Sequence, residues 1–235
     1  MLETILEEGL SALSLPCSNL TLSRFRTYYN LLSERNRQMN LTAISGEEDI
    51  ARLHFLDCAA ILSFFDSGYT KVLDIGSGAG FPGLVLKILR PELALTLLDS
   101  QKKRVLFQAE VCEALGLPDV TCLALRAEDA PPEMRGTYDV VVSRAVARLS
   151  VLSELCIPFV SVGGRFLAMK GAAAAEELEE SRRSFRLLGC EEARLLPYAV
   201  PCLNAERAVI LAKKSKPTPA RYPRRYAQIK KAPLS

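Results

Sequence analysis

The spacing of apolar residues along the chain changes near residue 71. Before that point, apolar residues recur every three or four positions, which is the period of an amphipathic helix. The segments with this period are residues 2–13, 22–39 and 47–65, and Thr21 is predicted to cap the second of them. Beyond Lys71, short apolar runs alternate with helical segments. The first third of the chain is therefore predicted to be helical, and the remainder to alternate strands with helices.

Seven short apolar runs predict strands. They cover residues 72–75, 93–98, 120–125, 138–143, 165–169, 194–200 and 207–212. Residues 102–115 and 172–188 have helical spacing, while Pro82 and Gly116 suit a helix start and a helix C-cap. This alternation predicts an α/β fold with a doubly wound, mostly parallel sheet whose final strand is antiparallel.

The pattern divides the chain into three parts. Residues 1–70 are predicted to form a helical extension packed on the core, and residues 71–212 the α/β domain. Residues 213–235 hold eight basic and no acidic residues, with four prolines, and are predicted to be a flexible tail. The net charge of +3 thus combines a basic end with an acidic body. Such a tail indicates either contact with a polyanion or a solvated end, and charge alone leaves both open.

Composition excludes several classes of protein. No apolar run approaches the roughly 20 residues that span a bilayer. The first residues include Glu3, Glu7 and Glu8 rather than a basic leader, so a cytoplasmic protein is expected. The seven cysteines have no metal-binding or redox spacing, and His54 is the single histidine. We therefore expect no metal site and no Ser-His-Asp triad.

The most informative stretch follows the first predicted strand and runs from Asp74 to Gly83. It reads Asp-Ile-Gly-Ser-Gly-Ala-Gly-Phe-Pro-Gly. Glycines allow a tight turn and let a ligand approach the backbone beside a helix N-terminus. The spacing also matches the dinucleotide fingerprint, and Asp99 after the next strand suits the ribose of either ligand.

Two features favour S-adenosylmethionine over NAD. Asp74 lies two residues before the first glycine, where a carboxylate can balance the ammonium of a methionine group. Arg126, Ala127 and Glu128 follow the third strand, where a polar group can contact adenine. Residues that a dehydrogenase would need for catalysis are not apparent. The sequence predicts a Rossmann-like class I S-adenosylmethionine-dependent methyltransferase.

The methyl acceptor is narrowed by elimination. Methylation of pyrimidine C5 needs a cysteine near the fourth strand, whereas the Pro-Cys pairs end at Cys17 and Cys202. Enzymes for exocyclic amino groups carry an Asn/Asp-Pro-Pro-aromatic element where this chain has Ser143 to Val146. Guanine N7 remains a candidate acceptor. This nitrogen carries a lone pair and no proton, so its methylation needs positioning rather than a general base. Other acceptors stay open at this point.

Several blocks together closely resemble the bacterial small-subunit ribosomal RNA guanine-N7 methyltransferases, also called glucose-inhibited division protein B. The similarity runs from about Tyr28 to the tail. The blocks are residues 40–42, 54–57, 74–83, 97–100, 103–104, 126–128, 143–145 and 167–171. Cys58 departs from the family, which usually has serine there.

The resemblance implies a fold, a reaction and a set of residues. S-adenosylmethionine would donate a methyl group to guanine N7 in 16S ribosomal RNA, the expected partner of a monomer. The cofactor contacts implied by family or position are Asp74, Gly76, Gly78, Phe81, Asp99, Ala127, Glu128 and Arg144. Arg144 and Lys170 are the predicted catalytic residues, and the predicted RNA contacts are Arg126, Arg221, Arg224 and Arg225. The tail is expected to add RNA affinity without affecting cofactor binding.

Two alternatives remain. One is a methyltransferase of a small molecule or protein, and the other is a non-catalytic regulator that binds the cofactor or nucleic acid. For His54 we expect a structural helix residue, satisfied by Asp57 or a backbone carbonyl.

Overall fold

The computed structural model describes residues 1–144, 147–201, 203, 205 and 207–234. Its N-terminal part is helical, as the apolar period predicts. The helices are α1 (Leu2–Ala12), α2 (Asn19–Met39), α3 (Glu47–Ile50) and α4 (Asp57–Ala60), with a π-helix (Ala51–Leu56) between α3 and α4 and a 3₁₀ turn (Ile61–Phe64) after α4. The cap of α2 is Ser18, whose Oγ accepts from the backbone N–H of Thr21 at 3.1 Å. The prediction that Thr21 caps this helix is therefore wrong.

Strands and helices alternate in the rest of the chain. The strands are β1 (Lys71–Ile75), β2 (Ala94–Leu98), β3 (Val120–Leu123), β4 (Tyr138–Arg144), β5 (Val160–Lys170), β6 (Cys190–Tyr198) and β7 (Arg207–Lys214). The helices are α5 (Gly83–Leu89), α6 (Lys102–Leu115), α7 (Leu149–Cys156), α8 (Ala174–Leu187) and α9 (Tyr226–Lys231).

The described strands form one sheet in the order β3-β2-β1-β4-β5-β7-β6. The pairings among β3, β2, β1, β4 and β5 are parallel, and β7 runs antiparallel to both β5 and β6. The order reverses direction at β1, so the strands on either side of it belong to two halves of a doubly wound fold. The predicted mostly parallel sheet with an antiparallel final strand is confirmed. Ligands of such sheets bind at the carboxyl ends of the strands near this reversal.

Each face of the sheet has its own apolar core. Successive side chains of a strand point to opposite faces, and in β4 this places Val140 and Val142 on one side and Val141 on the other. The first core includes helices α1, α2, α5 and α6, and the second includes α7, α8 and α9. The N-terminal helices α1 and α2 thus belong to the same core as α5 and α6, on one face of the sheet.

The end of the chain differs from the flexible tail that its charge predicts. Strand β7 continues to Lys214, and Tyr222 and Ile229 are buried in the second core. The guanidinium of Arg224 donates to both carboxylate oxygens of Glu154 on α7, at 2.8 and 2.6 Å. Aromatic and aliphatic residues between the cations supply apolar area for packing, which offsets the mobility expected from the prolines. Among the described residues, no helix is both long and apolar enough to cross a membrane.

Candidate active site

The carboxyl ends of the parallel strands enclose a cavity of about 540 Å³. It is bounded by the glycine turn after β1, the end of β2, the loop after β3 and the end of β4, with contributions from the N-terminal helical part and from α9. We call it the first cavity. Its size is within the range of small-molecule and cofactor sites.

The glycine turn gives the first cavity a floor of exposed backbone. Gly78 has a φ of +58°, and a Cβ built on it meets no protein atom nearer than the Gly76 oxygen at 3.9 Å. The space above Gly78 is therefore open to a ligand. Gly80 has a φ of +100°, and a Cβ there would lie 2.4 Å from Leu84, so this position permits only glycine. The first cavity is shaped by the absence of side chains along this turn.

Asp99 ties the turn to the end of β2. Its Oδ2 accepts from the backbone N–H of Gly78 at 2.9 Å, and its Oδ1 accepts from that of Gln101 at 2.8 Å. Nη1 of Arg104 also lies 3.4 Å from Oδ2. A carboxylate has about four lone-pair positions, so Asp99 retains the capacity to accept from a ribose hydroxyl. Asp99 lines the first cavity, where the ribose is expected.

Asp74 lies beneath the turn with its side chain fully buried. Oδ2 accepts from the backbone N–H of Gly83 at 2.8 Å, so one oxygen of the carboxyl holds the turn. Burial raises the pKa of this carboxyl to about 8, and the Gly83 hydrogen bond only partly opposes the shift. Oδ1 is buried without a hydrogen-bond partner in the described residues. The contact of Asp74 with the ammonium of a cofactor, directly or through water, stays a prediction.

The loop after β3 forms one end of the first cavity. Ala127 is buried, and Glu128 keeps its side chain largely buried at the wall while exposed Arg126 lies beside it, 3.7 Å from its carboxylate. Opposite this loop, Tyr226 of α9 also lines the first cavity, and the Arg126 guanidinium lies 5.6 Å from its ring centroid. This end combines an apolar surface with a carboxylate, as a purine base requires.

Arg144 stands at the other end of the first cavity. Its guanidinium lies over the ring of Phe81, 4.9 Å from the centroid, and Nη2 lies 3.1 Å from Nδ1 of His54. Nη1 lies 3.7 Å from Oδ2 of Asp57 and donates to the Leu53 oxygen at 3.3 Å. These contacts fix the arginine side chain at the carboxyl end of β4.

His54 lies on the π-helix and stacks on Phe81, with the ring centroids 4.5 Å apart. Nδ1 is 3.1 Å from both the Leu53 oxygen and Nη2 of Arg144. Arg144 can only donate to Nδ1, whereas the Leu53 oxygen can only accept from it, and Nε2 lies 2.8 Å from Oγ1 of Thr42. Burial, with the Arg144 charge, lowers the His54 pKa to about 3. His54 is a neutral residue at physiological pH.

A second cavity of about 590 Å³ adjoins the first, sharing His54 and Arg144 as wall residues. Its remaining wall combines apolar surface with charged and polar groups. The residues with polar side chains there are Asp57, Arg148, Lys170, Glu177, Tyr198 and Arg207. Oδ1 of Asp57 accepts from the hydroxyl of Tyr198 at 2.8 Å and lies 3.3 Å from Nε of Arg207. The second cavity thus offers both hydrogen-bond acceptors and cationic donors.

Lys170, a predicted catalytic residue, lines the second cavity at the end of β5. Its ammonium donates to the Ala147 oxygen at 2.7 Å and to Oε2 of Glu177 at 2.8 Å. The same Glu177 oxygen accepts from the backbone N–H of Leu149 at 2.7 Å, the first residue of α7. These bonds link Lys170 to Ala147 and, through Glu177, to the start of α7, and its catalytic role stays a prediction.

The predicted RNA contacts fall into different surroundings. Arg221 and Arg225 are exposed, whereas Arg126 lies at the mouth of the first cavity. Arg224 is occupied by Glu154, a buried carboxylate, so the prediction that it binds RNA gives way to a structural role. Within the described part of the chain, His, Cys, Asp and Glu side chains form no cluster of three that could hold a metal ion.

Some sequence signals fall on residues whose structure is not described. The element that ends β4 continues through Ala145 and Val146, and the second Pro-Cys pair ends at Cys202; these three lie outside the described residues.

The residues of the first cavity fit S-adenosylmethionine. The open backbone at Gly78 leaves room for a ligand against the turn. Asp99 would hold the ribose, and Ala127 and Glu128 would contact the adenine. Arg144 and Phe81 are placed beside the reacting end, next to the second cavity.

Comparison with known proteins decides the family. Residues 21–207 match the family model described as rRNA small subunit methyltransferase G. The chain belongs to this family. It is 41% identical over 236 residues to the ribosomal RNA small subunit methyltransferase G of Acetivibrio thermocellus, covering 100% of this chain and 97% of that protein. It is 40% identical over 235 residues to the protein of that name from Bacillus cereus, covering 99% and 97% of the two chains.

Solved structures agree on the fold. A SAM-dependent methyltransferase from Aquifex aeolicus matches with a TM-score of 0.53 at 19% identity, over 69% of this chain and 92% of that one. The 16S rRNA (adenine(1408)-N(1))-methyltransferase from Catenulisporales acidiphilia matches with a TM-score of 0.51 at 16% identity, over 64% and 87%. The predicted resemblance and the Rossmann-like class I fold are confirmed, and membership of an rRNA methyltransferase family is established.

Three groups of residues that line the two cavities were not predicted from the sequence as site residues. Leu41, Thr42 and His54 reach the first cavity from the N-terminal helical part. Tyr226 reaches it from the C-terminal segment. Asp57, Tyr198 and Arg207 build the second cavity from distant parts of the chain. The resemblance blocks at residues 40–42 and 54–57 were usable signals for Leu41, Thr42, His54 and Asp57, whereas nothing local marked the others.

Proposed function

We propose that the protein transfers the methyl group of S-adenosylmethionine to N7 of a guanine in small-subunit (16S) ribosomal RNA. The observation that carries this proposal is the junction of the two cavities at His54 and Arg144. A cofactor site joined to a separate polar cavity allows the methyl donor and its acceptor to meet at one point. The names of the relatives favour ribosomal RNA as the acceptor.

The second cavity is proposed to receive the target base. Guanine has donors at N1 and N2 and acceptors at O6 and N7, so it needs both carboxylates and cationic donors around it. Asp57 and Glu177 supply the first kind of group, and Arg144 and Arg148 supply the second. The second cavity, which offers both kinds of group, fits a guanine.

The reaction needs positioning more than proton transfer. When bound, S-adenosylmethionine supplies an electrophilic methyl group on its sulfonium. N7 of guanine carries a lone pair and no proton, so no general base is required. His54, whose pKa is lowered to about 3 by burial and by Arg144, fits this requirement as an uncharged wall residue. Arg144 is proposed to orient the two reactants, and Asp99 and Glu128 to hold the nucleoside.

We also propose that the protein acts in the cytoplasm as a monomer, because ribosomal RNA is its substrate and one chain provides the walls of both cavities. A methyltransferase of a small molecule or protein is the alternative. It would be active without RNA, and its activity would depend little on salt.

The test compares ribosomal RNA from cells with and without the gene. Reverse transcription after cleavage at N7-methylguanine should reveal one site in small-subunit RNA that is lost on deletion. The site should return with the wild-type gene and not with an Arg144→Ala gene expressed to the same level. An unchanged methylation pattern after deletion would overturn the proposal.

A further inference from the structure

The C-terminal segment contributes a wall to the first cavity. Tyr226, the first residue of α9, is half-buried and lines this cavity together with Arg126, Ala127 and Glu128. The Arg126 guanidinium lies over its ring, 5.6 Å from the centroid. The tyrosine therefore lies against the loop after β3, close to the mouth of the cavity.

The sheet order identifies which part of the cofactor lies at this end. Asp99 closes β2 and marks the ribose, while Arg144 closes β4 beside the second cavity. The methyl group must face the second cavity, so the base must extend the other way, from β2 toward β3. Tyr226 stands at that β3 end, beside Arg126. Adenine is therefore the part of the ligand that its ring would meet.

The segment is anchored on both sides of Tyr226. Two residues before it, Arg224 donates through its backbone N–H and its guanidinium to Glu154, whose side chain is completely buried. Three residues after it, Ile229 is fully buried in the second core. Leu155, the neighbour of Glu154 on α7, itself lines the first cavity. One helix thus supports both the cavity wall and the anchor of the tyrosine.

We propose that the C-terminal segment, residues 222–229, closes the adenine end of the cofactor cavity, with Tyr226 as a cofactor-binding residue. This inference rests on S-adenosylmethionine being the cofactor. An aromatic ring held against a base gains dispersion and stacking energy that is not specific to one base. The expectation that the basic end of the chain leaves cofactor affinity unchanged is replaced by a direct role in binding.

The first experiment measures binding by calorimetry without RNA. S-adenosylhomocysteine and 5′-methylthioadenosine, which lacks the amino-acid part, are titrated into full-length protein. Tyr226→Ala should weaken both ligands by the same factor, about tenfold, because the lost contact is with the adenosine that they share. Tyr226→Phe should bind like wild type. Gln228→Ala, an exposed substitution on the same helix, is the matched control and should leave both affinities unchanged.

A second readout reports the contact directly. The chain has no tryptophan, so Tyr226→Trp introduces a single indole at this position. Its emission should change on addition of S-adenosylhomocysteine and reach half of the full change at the dissociation constant that calorimetry gives for the same variant. Circular dichroism melts of each variant check that the fold is retained.

The outcomes separate this inference from the proposed function. If wild type binds S-adenosylhomocysteine and folded Tyr226→Ala binds it equally well, the inference is overturned while the function stands. If the emission of the Tyr226→Trp variant does not change at saturating ligand, the inference is also overturned. If wild type binds neither ligand, the cofactor assignment itself fails, and this inference fails with it.

Discussion

Nη2 of Arg144 lies 3.1 Å from Nδ1 of His54, and this contact joins the walls of the two cavities. The arginine comes from the end of β4 and the histidine from the π-helix, so the junction brings together the α/β core and the N-terminal helical part. The ring of Phe81 lies against both side chains. The position at which the methyl group would move is thus built by parts of the chain that are 90 residues apart.

Arg144→Ala is expected to lower methyl transfer at least tenfold, about 1.4 kcal/mol in the barrier, because the guanidinium no longer orients the two reactants. Thermal stability should change little, since Asp57 keeps its hydrogen bond from Tyr198 and its contact with Arg207. Arg144→Lys should not restore activity, because a single ammonium cannot make the same set of contacts. Parallel losses of melting temperature and activity would instead assign Arg144 a structural role.

Gly78→Val is expected to abolish binding of S-adenosylhomocysteine in calorimetry. Its Cβ branch would occupy the open space above the turn where the ligand meets the backbone. Gly116→Val is the matched control, since Gly116 has the same φ of +58° and no atom within 4 Å of its built Cβ, but caps α6 away from the cavity. Both variants carry the same backbone strain. Equal loss of ligand affinity in the two would show that strain, rather than ligand contact, explains the effect.

Arg224→Ala is expected to lower the free energy of unfolding by about 3 kcal/mol, because it leaves Glu154 as an unpaired buried carboxylate. Urea denaturation followed by circular dichroism gives the value. Arg225→Ala removes the same charge from an exposed position and should change stability by less than about 0.5 kcal/mol. If the two variants unfold at the same urea concentration, the C-terminal segment is not anchored as described.

Asp74 predicts an unusual dependence of stability on pH. Its carboxyl has a pKa of about 8 in the folded chain because of burial, well above the ordinary value of 3.8. Between these values the folded chain binds a proton that the unfolded chain has released, so this group's contribution to stability falls as pH rises. The decrease can reach about 1.4 kcal/mol per pH unit.

Asp74→Asn removes this contribution, because the amide mimics the protonated acid and its oxygen still accepts from Gly83. Unfolding free energies of wild type and variant are compared between pH 5 and pH 7.5. Wild type should lose stability relative to the variant as pH rises, while His54 and other groups titrate alike in both. A difference that does not change with pH would mean that Asp74 is ionised in the folded chain.

The α/β part of the fold was readily predicted because its signals are local. A buried parallel strand such as β1 is rich in apolar residues, and α6 begins at Lys102 and ends at Leu115 as its apolar period predicts. Gly116 adopts the left-handed conformation expected of its C-cap. In contrast, α7 was not predicted, because it is only eight residues long and further apolar residues follow it directly up to β5.

The site was predicted only where its residues follow strands. Asp99, Ala127 and Arg144 lie at the carboxyl edge of the sheet, and the order of strands alone brings such residues together. Tyr226 reaches the same cavity through long-range packing of a segment whose charge indicated solvent. Glu154, the buried partner of that segment, has no local signal, because its burial depends on a cation 70 residues away.

The proposed methylation of guanine N7 is tested most directly by methyl transfer with purified components. S-adenosylmethionine carrying a labelled methyl group is incubated with the protein and deproteinised small-subunit ribosomal RNA or assembled subunits, and the nucleosides are then separated by mass spectrometry. We expect the label in 7-methylguanosine from one position in the RNA, and at least tenfold less of this label with Arg144→Ala. Label in a different nucleoside, or equal transfer in the absence of RNA, would contradict the proposed function.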